Sequence, residues 1–159
     1  FKFESGILLS PRAINSLPRN IRFFLGGTSS VRGWNRQQLG PKEAIFDGDR
    51  FQELVPIGGR SMMAMSVEFR QDLPFIVKGL GIAAFSDGGN IWADKFDFAQ
   101  EGLRWGSGFG FRYASPIGPL RLDFGYKINP TDLDRGIIDG QQLAARSRWA
   151  IHFSLGQAF

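Results

Sequence analysis

The stretch from Arg104 to Ser115 constrains the fold more than any other part of the chain. Its odd positions are Trp105, Ser107, Phe109, Phe111, Tyr113 and Ser115, and its even positions are Arg104, Gly106, Gly108, Gly110, Arg112 and Ala114. A period of two marks a strand, here with one aromatic face and one small or cationic face. The pattern resumes after the turn Pro116-Ile117-Gly118-Pro119, where Leu120, Leu122, Phe124, Tyr126 and Ile128 alternate with Arg121, Asp123, Gly125, Lys127 and Asn129. It returns over 148–159, with Trp149, Ile151, Phe153 and Leu155 against Arg148, Ala150, His152 and Ser154. Over 61–73, Met63, Met65, Val67, Phe69 and Leu73 alternate with Met62, Ala64, Ser66, Glu68, Arg70 and Asp72. Residues 1–9 read as a fifth strand, and 79–92 as a sixth, more apolar and less regular.

Long alternating strands have two homes. A soluble antiparallel sandwich buries the apolar face and wets the other. A transmembrane barrel turns the apolar face to lipid and the polar face to a lumen, crossing the bilayer in about 9–11 residues per strand. These strands exceed the ~5–6 residues usual in globular sheets. Trp92, Trp105, Tyr126 and Trp149 sit at strand ends, where an interfacial girdle belongs, so the pattern favours an all-β, antiparallel transmembrane barrel. Composition closes other routes. Twenty-one glycines are too many for a helix bundle, and the absence of Cys removes disulfide frameworks, thiolate zinc sites and thiol catalysis. One His, His152, forms no His cluster, so no metal or other cofactor is expected. No apolar run reaches the ~18 residues of a transmembrane helix. Nineteen basic against fifteen acidic residues give +4, but the charges are interleaved, which argues against a nucleic-acid partner. No Ser has a His or Lys at catalytic spacing, so an enzyme is not expected. The glycine pairs at 26–27 and 88–89 open no helix and are not phosphate cradles.

Two segments break the alternation: residues 10–60, rich in Gly, Pro, Arg and Gln, and the polar stretch 129–147. Within the first stands Phe23-Phe24-Leu25-Gly26-Gly27-Thr28-Ser29-Ser30-Val31-Arg32-Gly33-Trp34, followed by Gln38-Leu39-Gly40-Pro41. This resembles the loop-six signature of the BamA/TamA superfamily of outer-membrane assembly and translocation proteins, also called the bacterial surface antigen family. Phe85-Ser86-Asp87-Gly88-Gly89-Asn90-Ile91-Trp92 resembles a strand end of that family, and Pro116 to Tyr126 resembles its penultimate hairpin. Phe153-Ser154-Leu155-Gly156 before Phe159 looks like the terminal signal of outer-membrane barrels. Four motifs in order make the resemblance span essentially the whole chain.

The resemblance implies an integral outer-membrane protein that contacts membrane lipid and helps fold and insert client outer-membrane proteins. It also implies that Arg32, within Val31-Arg32-Gly33-Trp34, folds into the lumen against Glu68 and Asp87. A buried guanidinium needs matching carboxylates. Glu68 has lumen parity; Asp87 shares parity with Phe85 and Ala83, so it faces the lumen only through a bulge near Gly88-Gly89 or an opposite strand phase. Competing readings are a solvated Arg32, a Glu68–Arg70–Asp72 charge ladder, a structural His152, and a solvated wall of Arg104, Arg112, Arg121 and Lys127. Phe153, Leu155, Gly156 and Phe159 are implied to form one side of a seam and an insertion signal.

Six strands cannot close around a bilayer-spanning lumen. Residues 1–159 are therefore expected to be the C-terminal strands of a larger barrel, or one of several copies sharing a barrel. An eight-stranded barrel would need extra strands from 17–25 and 44–57. Phe1-Lys2-Phe3-Glu4 carries no signal-peptide core, and no periplasmic module is expected within these residues. Other roles consistent with the motifs are a two-partner-secretion transporter, a barrel anchoring an upstream enzyme, and a small structural barrel.

Overall fold

A computed structural model describes residues 1–9, 14–94, 101–116 and 118–156. In chain order it contains β1 (Lys2–Ile7), the hairpin of β2 (Lys42–Asp47) and β3 (Arg50–Pro56), then β4 (Ser61–Asp72), β5 (Leu80–Trp92), β6 (Arg104–Ser115) and β7 (Gly118–Lys127). A one-turn helix α1 (Asp132–Arg135), the short pair β8 (Ile137–Ile138) and β9 (Gln141–Gln142), and β10 (Trp149–Leu155) complete it. Six strands form one antiparallel sheet in the order β1-β4-β5-β6-β7-β10. Each strand pairs with its successor in the wall, so the sheet is an up-and-down meander, the connectivity of a barrel wall. Among the described residues, β1 and β10 each have one free edge.

The two faces follow the alternation. Val67, Phe69, Phe109, Phe111, Ile151 and Phe153 project from one face and are exposed, with Phe69 at 69% and Phe153 at 68%. Phe109 stacks on its cross-strand partner Phe124 at 5.2 Å. On a soluble protein such a face would be an aggregation liability; against lipid it is the solvated side. The other face carries Ser66, Glu68, Gly106, Gly108, Arg112, Arg121, Asp123 and His152.

Strand β5 resolves the parity of Asp87. Its pairing with β4 runs without a register shift, and Ser66 lies opposite Asp87 while Glu68 lies opposite Phe85. Asp87 therefore shares the inner face with Glu68, and the strand has the opposite phase with no bulge. The inner face of β5 is thus apolar at Ala83 and Phe85, which is why its sequence alternates poorly. Trp105 and Trp149 are exposed strand-end aromatics, and Tyr126 packs on Trp149 at 5.0 Å. Trp92 departs from the girdle expectation: it is buried, and its indole N–H donates to the Glu101 carbonyl at 2.8 Å.

Residues 17–25 and 44–57 add no strands to the wall. The first contains a 3-10 turn at Arg19–Ile21 and two isolated bridges, Phe23 to Gly59 and Leu25 to Leu39. The second falls in the β2–β3 hairpin, a separate two-stranded sheet. Its turn links Asp47 to Arg50 and places Gly48 at φ 59°, the positive value that a type II′ hairpin asks of its first central residue. The segment 129–147 is also structured. Thr131 and Asp134 close a capping box at the start of α1, and Gly136 ends it in the left-handed region.

Candidate functional site: the loop motif on the inner wall

The loop between β1 and β4 folds onto the inner face. The backbone turns tightly through the motif, with the Trp34 N–H on the Val31 carbonyl at 3.2 Å and the Gly27 N–H on the Trp34 carbonyl at 2.9 Å. This turn sends Val31 and Trp34 into one small core with Leu25, Leu39, Ala64 and Ile91. Arg32 is left pointing at the wall. It is 3% exposed and Asp87 is fully buried.

Arg32 and Asp87 meet fork to fork. Nε and Nη2 donate to Asp87 Oδ2 and Oδ1 at 2.8 Å each, and the Arg32 backbone N–H reaches Oδ2 at 3.0 Å. Nη1 donates to Glu68 Oε2, and Nη2 also reaches Ser66 Oγ at 3.1 Å. Ser66 in turn donates to Asp87 Oδ1 at 2.7 Å. The guanidinium plane lies over the Phe85 ring, 3.6 Å from its centroid. Carboxylates in the plane and an aromatic face below satisfy the cation as few other environments do.

Glu68 joins this cluster to the rest of the wall. Its Oε1 accepts from Arg70 at 2.6 Å and from Arg112 at 3.3 Å. Arg112 and Arg121 lie directly across from each other on β6 and β7, a repulsive pair. Asp123 bridges them, accepting from Arg112 at 2.5 Å and Arg121 at 3.3 Å. Arg112 and Arg121 are thus tied into a charge network and are not simply a solvated wall.

The backbone of the motif approaches β6 and β7 closely. A Cβ on Gly33 would meet Gly106 Cα at 3.2 Å and the Tyr126 carbonyl at 3.3 Å, and a Cβ on Gly125 would strike the Arg32 carbonyl oxygen. That carbonyl accepts from His152 Nε2 of β10 at 2.9 Å. A carbonyl only accepts, so Nε2 carries the proton. At the other end of the sheet, Lys2 of β1 donates to the Ser29 carbonyl at 2.9 Å. Residues 29–34 therefore touch all six strands of the wall.

A second buried contact joins the two loops. Lys42 Nζ donates to Asp134 Oδ1 at 2.5 Å, and both side chains are buried. Burial alone would raise the Asp134 pKa, but the Lys42 ammonium and the Thr131 N–H hold it below the ordinary carboxylate value. For Lys42, burial outweighs the attraction of Asp134 and lowers its pKa.

The geometry brings Val31, Arg32, Gly33, Trp34, Glu68 and Asp87 together. It leaves Phe153 and Leu155 on the exposed outer face of β10, with Gly156 just after that strand, where its N–H meets the Pro119 carbonyl at 2.9 Å. Phe159 lies outside the described residues. Phe85, Gly125, the His152 contact and the Lys42–Asp134 pair were not foreseen from sequence. The missed signals were the apolar inner phase of β5 and the smallness of Gly125 opposite Ala150.

The sequence matches the Omp85 superfamily domain over residues 1–159. It is similar to the outer membrane protein assembly factor BamA of Nitratidesulfovibrio vulgaris, 33% identical over 143 residues, covering 87% of this chain and 15% of that protein. It is also similar to the BamA of Neisseria meningitidis serogroup B, 24% identical over 152 residues, covering 79% of this chain and 18% of that protein. In fold it resembles the crystal structure of Haemophilus ducreyi BamA lacking POTRA domains 1–3, with a TM-score of 0.57 and 23% identity over 85% of this chain and 27% of that one. The chain thus spans less than a fifth of the length of these two curated relatives.

Proposed function

The chain belongs to the Omp85 superfamily and is integral to the outer membrane, and from that premise we propose that it forms the C-terminal wall of a barrel that helps insert client outer-membrane proteins. The observation that carries this reading is an inner face filled by the motif segment, in a chain similar to two outer membrane protein assembly factors. The motif segment lies across the inner wall, from Lys2 of β1 to His152 of β10, in the space that a secretion conduit would use. Where β10 parts from its neighbour in the closed barrel, its edge beside lipid pairs with an incoming strand, which is β-augmentation. The role is non-enzymatic. Arg32, held by Asp87 and Glu68, locks the loop and stiffens β4 and β5; β10, with Phe153, Leu155, Gly156 and the following Phe159, supplies one side of the seam.

Site-specific crosslinking in cells tests it. A photo-crosslinker at Ile151 or Phe153 is expected to trap a nascent client barrel, while one at Val67 on β4 traps none. Polypeptide trapped at Lys127 on the inner wall, with none at Ile151 or Phe153, would overturn the insertion reading in favour of a conduit for secretion.

A further inference from the structure

The Arg32 carbonyl, unlike its guanidinium, reaches the last strand of the wall. Strand β10 is seven residues long and hydrogen-bonded to β7. Its outer-face residues Ile151 and Phe153 are exposed, whereas Ala150 and His152 on its inner face are buried. Ala150 pairs with Gly125, and the Arg32 carbonyl and Gly33 N–H lie over Gly125. The inner face of β10 is thus covered by the loop motif, and its polar contact there is the 2.9 Å hydrogen bond from His152. The segment leading into β10 is tied to the same loop. Asp134 is held by Lys42, and Arg146 donates to Gln38 Oε1 at 3.1 Å and to the Leu54 carbonyl at 3.4 Å.

We propose that His152 is a positioning residue that clasps the terminal strand to the loop motif, with Lys42–Asp134 as a second tie, so that lifting the motif from the wall also frees β10. The physical reason is that the motif buries the inner face of β10, covering Ala150 and His152. A strand stripped of the contacts across its buried face opens at lower cost, and here those contacts come from the motif. A loop seated by its guanidinium on β4 and β5 therefore controls the order of a strand on the far side of the sheet. The significance for client insertion rests on the seam reading above; the clasp itself does not.

Hydrogen–deuterium exchange on the full-length protein in lipid nanodiscs tests it, read at 149–155 and, for reference, at 63–69. His152→Phe keeps bulk and removes the donor. It is expected to speed exchange in β10 about five- to tenfold, the loss of one net hydrogen bond, while β4 stays at wild-type rates. His152→Gln restores a donor at the end of the side chain and is expected to return β10 toward wild type. Unchanged β10 exchange in His152→Phe, or equal acceleration of β4, overturns the clasp. Should His152→Phe fail to assemble, Asp134→Asn decides: faster exchange in β10 than in β4 supports the proposal, and equal or no change overturns it. Client insertion measured on the same preparations separates the two readings. A wild-type protein that inserts no client refutes the insertion role and leaves the exchange result standing.

Discussion

One residue, Arg32, meets the two halves of the wall through different chemistry. Toward β4 and β5 it sends a charge, which Asp87 receives with both oxygens and Glu68 with one, over the ring of Phe85. Toward β7 and β10 it presents only its carbonyl, resting over Gly125 and accepting from His152. The first grip is strong because neither partner can be left alone: a buried carboxylate without its cation carries its full desolvation cost. The second grip is a close fit plus one neutral hydrogen bond, and such a bond contributes on the order of 1 kcal/mol. The wall is held firmly where the motif inserts its charge and lightly at β7 and β10. The lighter hold suits β10 in the proposed role of a seam strand, which comes away without dismantling the charged grip on β4 and β5.

This contrast can be broken at its strong side first. Arg32→Ala leaves Asp87 and Glu68 facing each other without their shared cation and is expected to cost about 3–5 kcal/mol. Arg36→Ala, at an exposed position, should stay within about 0.5 kcal/mol. Heat-induced unfolding of the folded barrel, followed by gel mobility, compares them, and equal losses would remove the special standing of Arg32. The light side is tested by bulk. Gly33→Val drives a side chain into Gly106 and the Tyr126 carbonyl and is expected to cost about 1–3 kcal/mol. Its damage should appear as raised exchange in β6 and β7, with β4 spared.

A smaller effect is expected from pH. The folded-state pKa of Asp134 lies below its unfolded value, so its contribution is fully present above the ordinary carboxylate value of ~4 and is lost as pH falls through the lower folded value. Protease protection of residues 129–147 should therefore fall with acidification in the wild type. In Asp134→Asn it should be weaker at neutral pH and flat across the same range. The smallest effect belongs to the outer face: Phe153→Leu exchanges one lipid-facing apolar side chain for another and is expected to shift stability by less than about 0.5 kcal/mol.

The wall itself was legible because period-two alternation is a local property. The aromatic stretch that begins at Arg104 and ends at Ser115 is β6 to the residue. Legibility failed where tertiary contacts decide. Phe85 sits on the inner face because a guanidinium needs a surface to lie on, and no hydropathy rule turns a Phe toward a charged interior. Asp87 was ambiguous for the same reason: its phase depended on whether Phe85 pointed in or out. The β2–β3 hairpin was too irregular to read because it belongs to no larger sheet, so only its turn and its own cross-strand pairs shape it. Alternation put His152 on the inner face as a structural residue, but its partner was hidden, because that partner is a main-chain atom 120 positions away.

The tip of that hairpin has a practical use. Gly48 has nothing within 4 Å of the place where a side chain would begin, and it sits at the head of a sheet that shares no strand with the wall. A short epitope spliced between Gly48 and Asp49 would extend into open space and leave the motif at residues 31–34 undisturbed. Antibody binding to such an epitope on unbroken cells would then report which side of the membrane the long loop occupies.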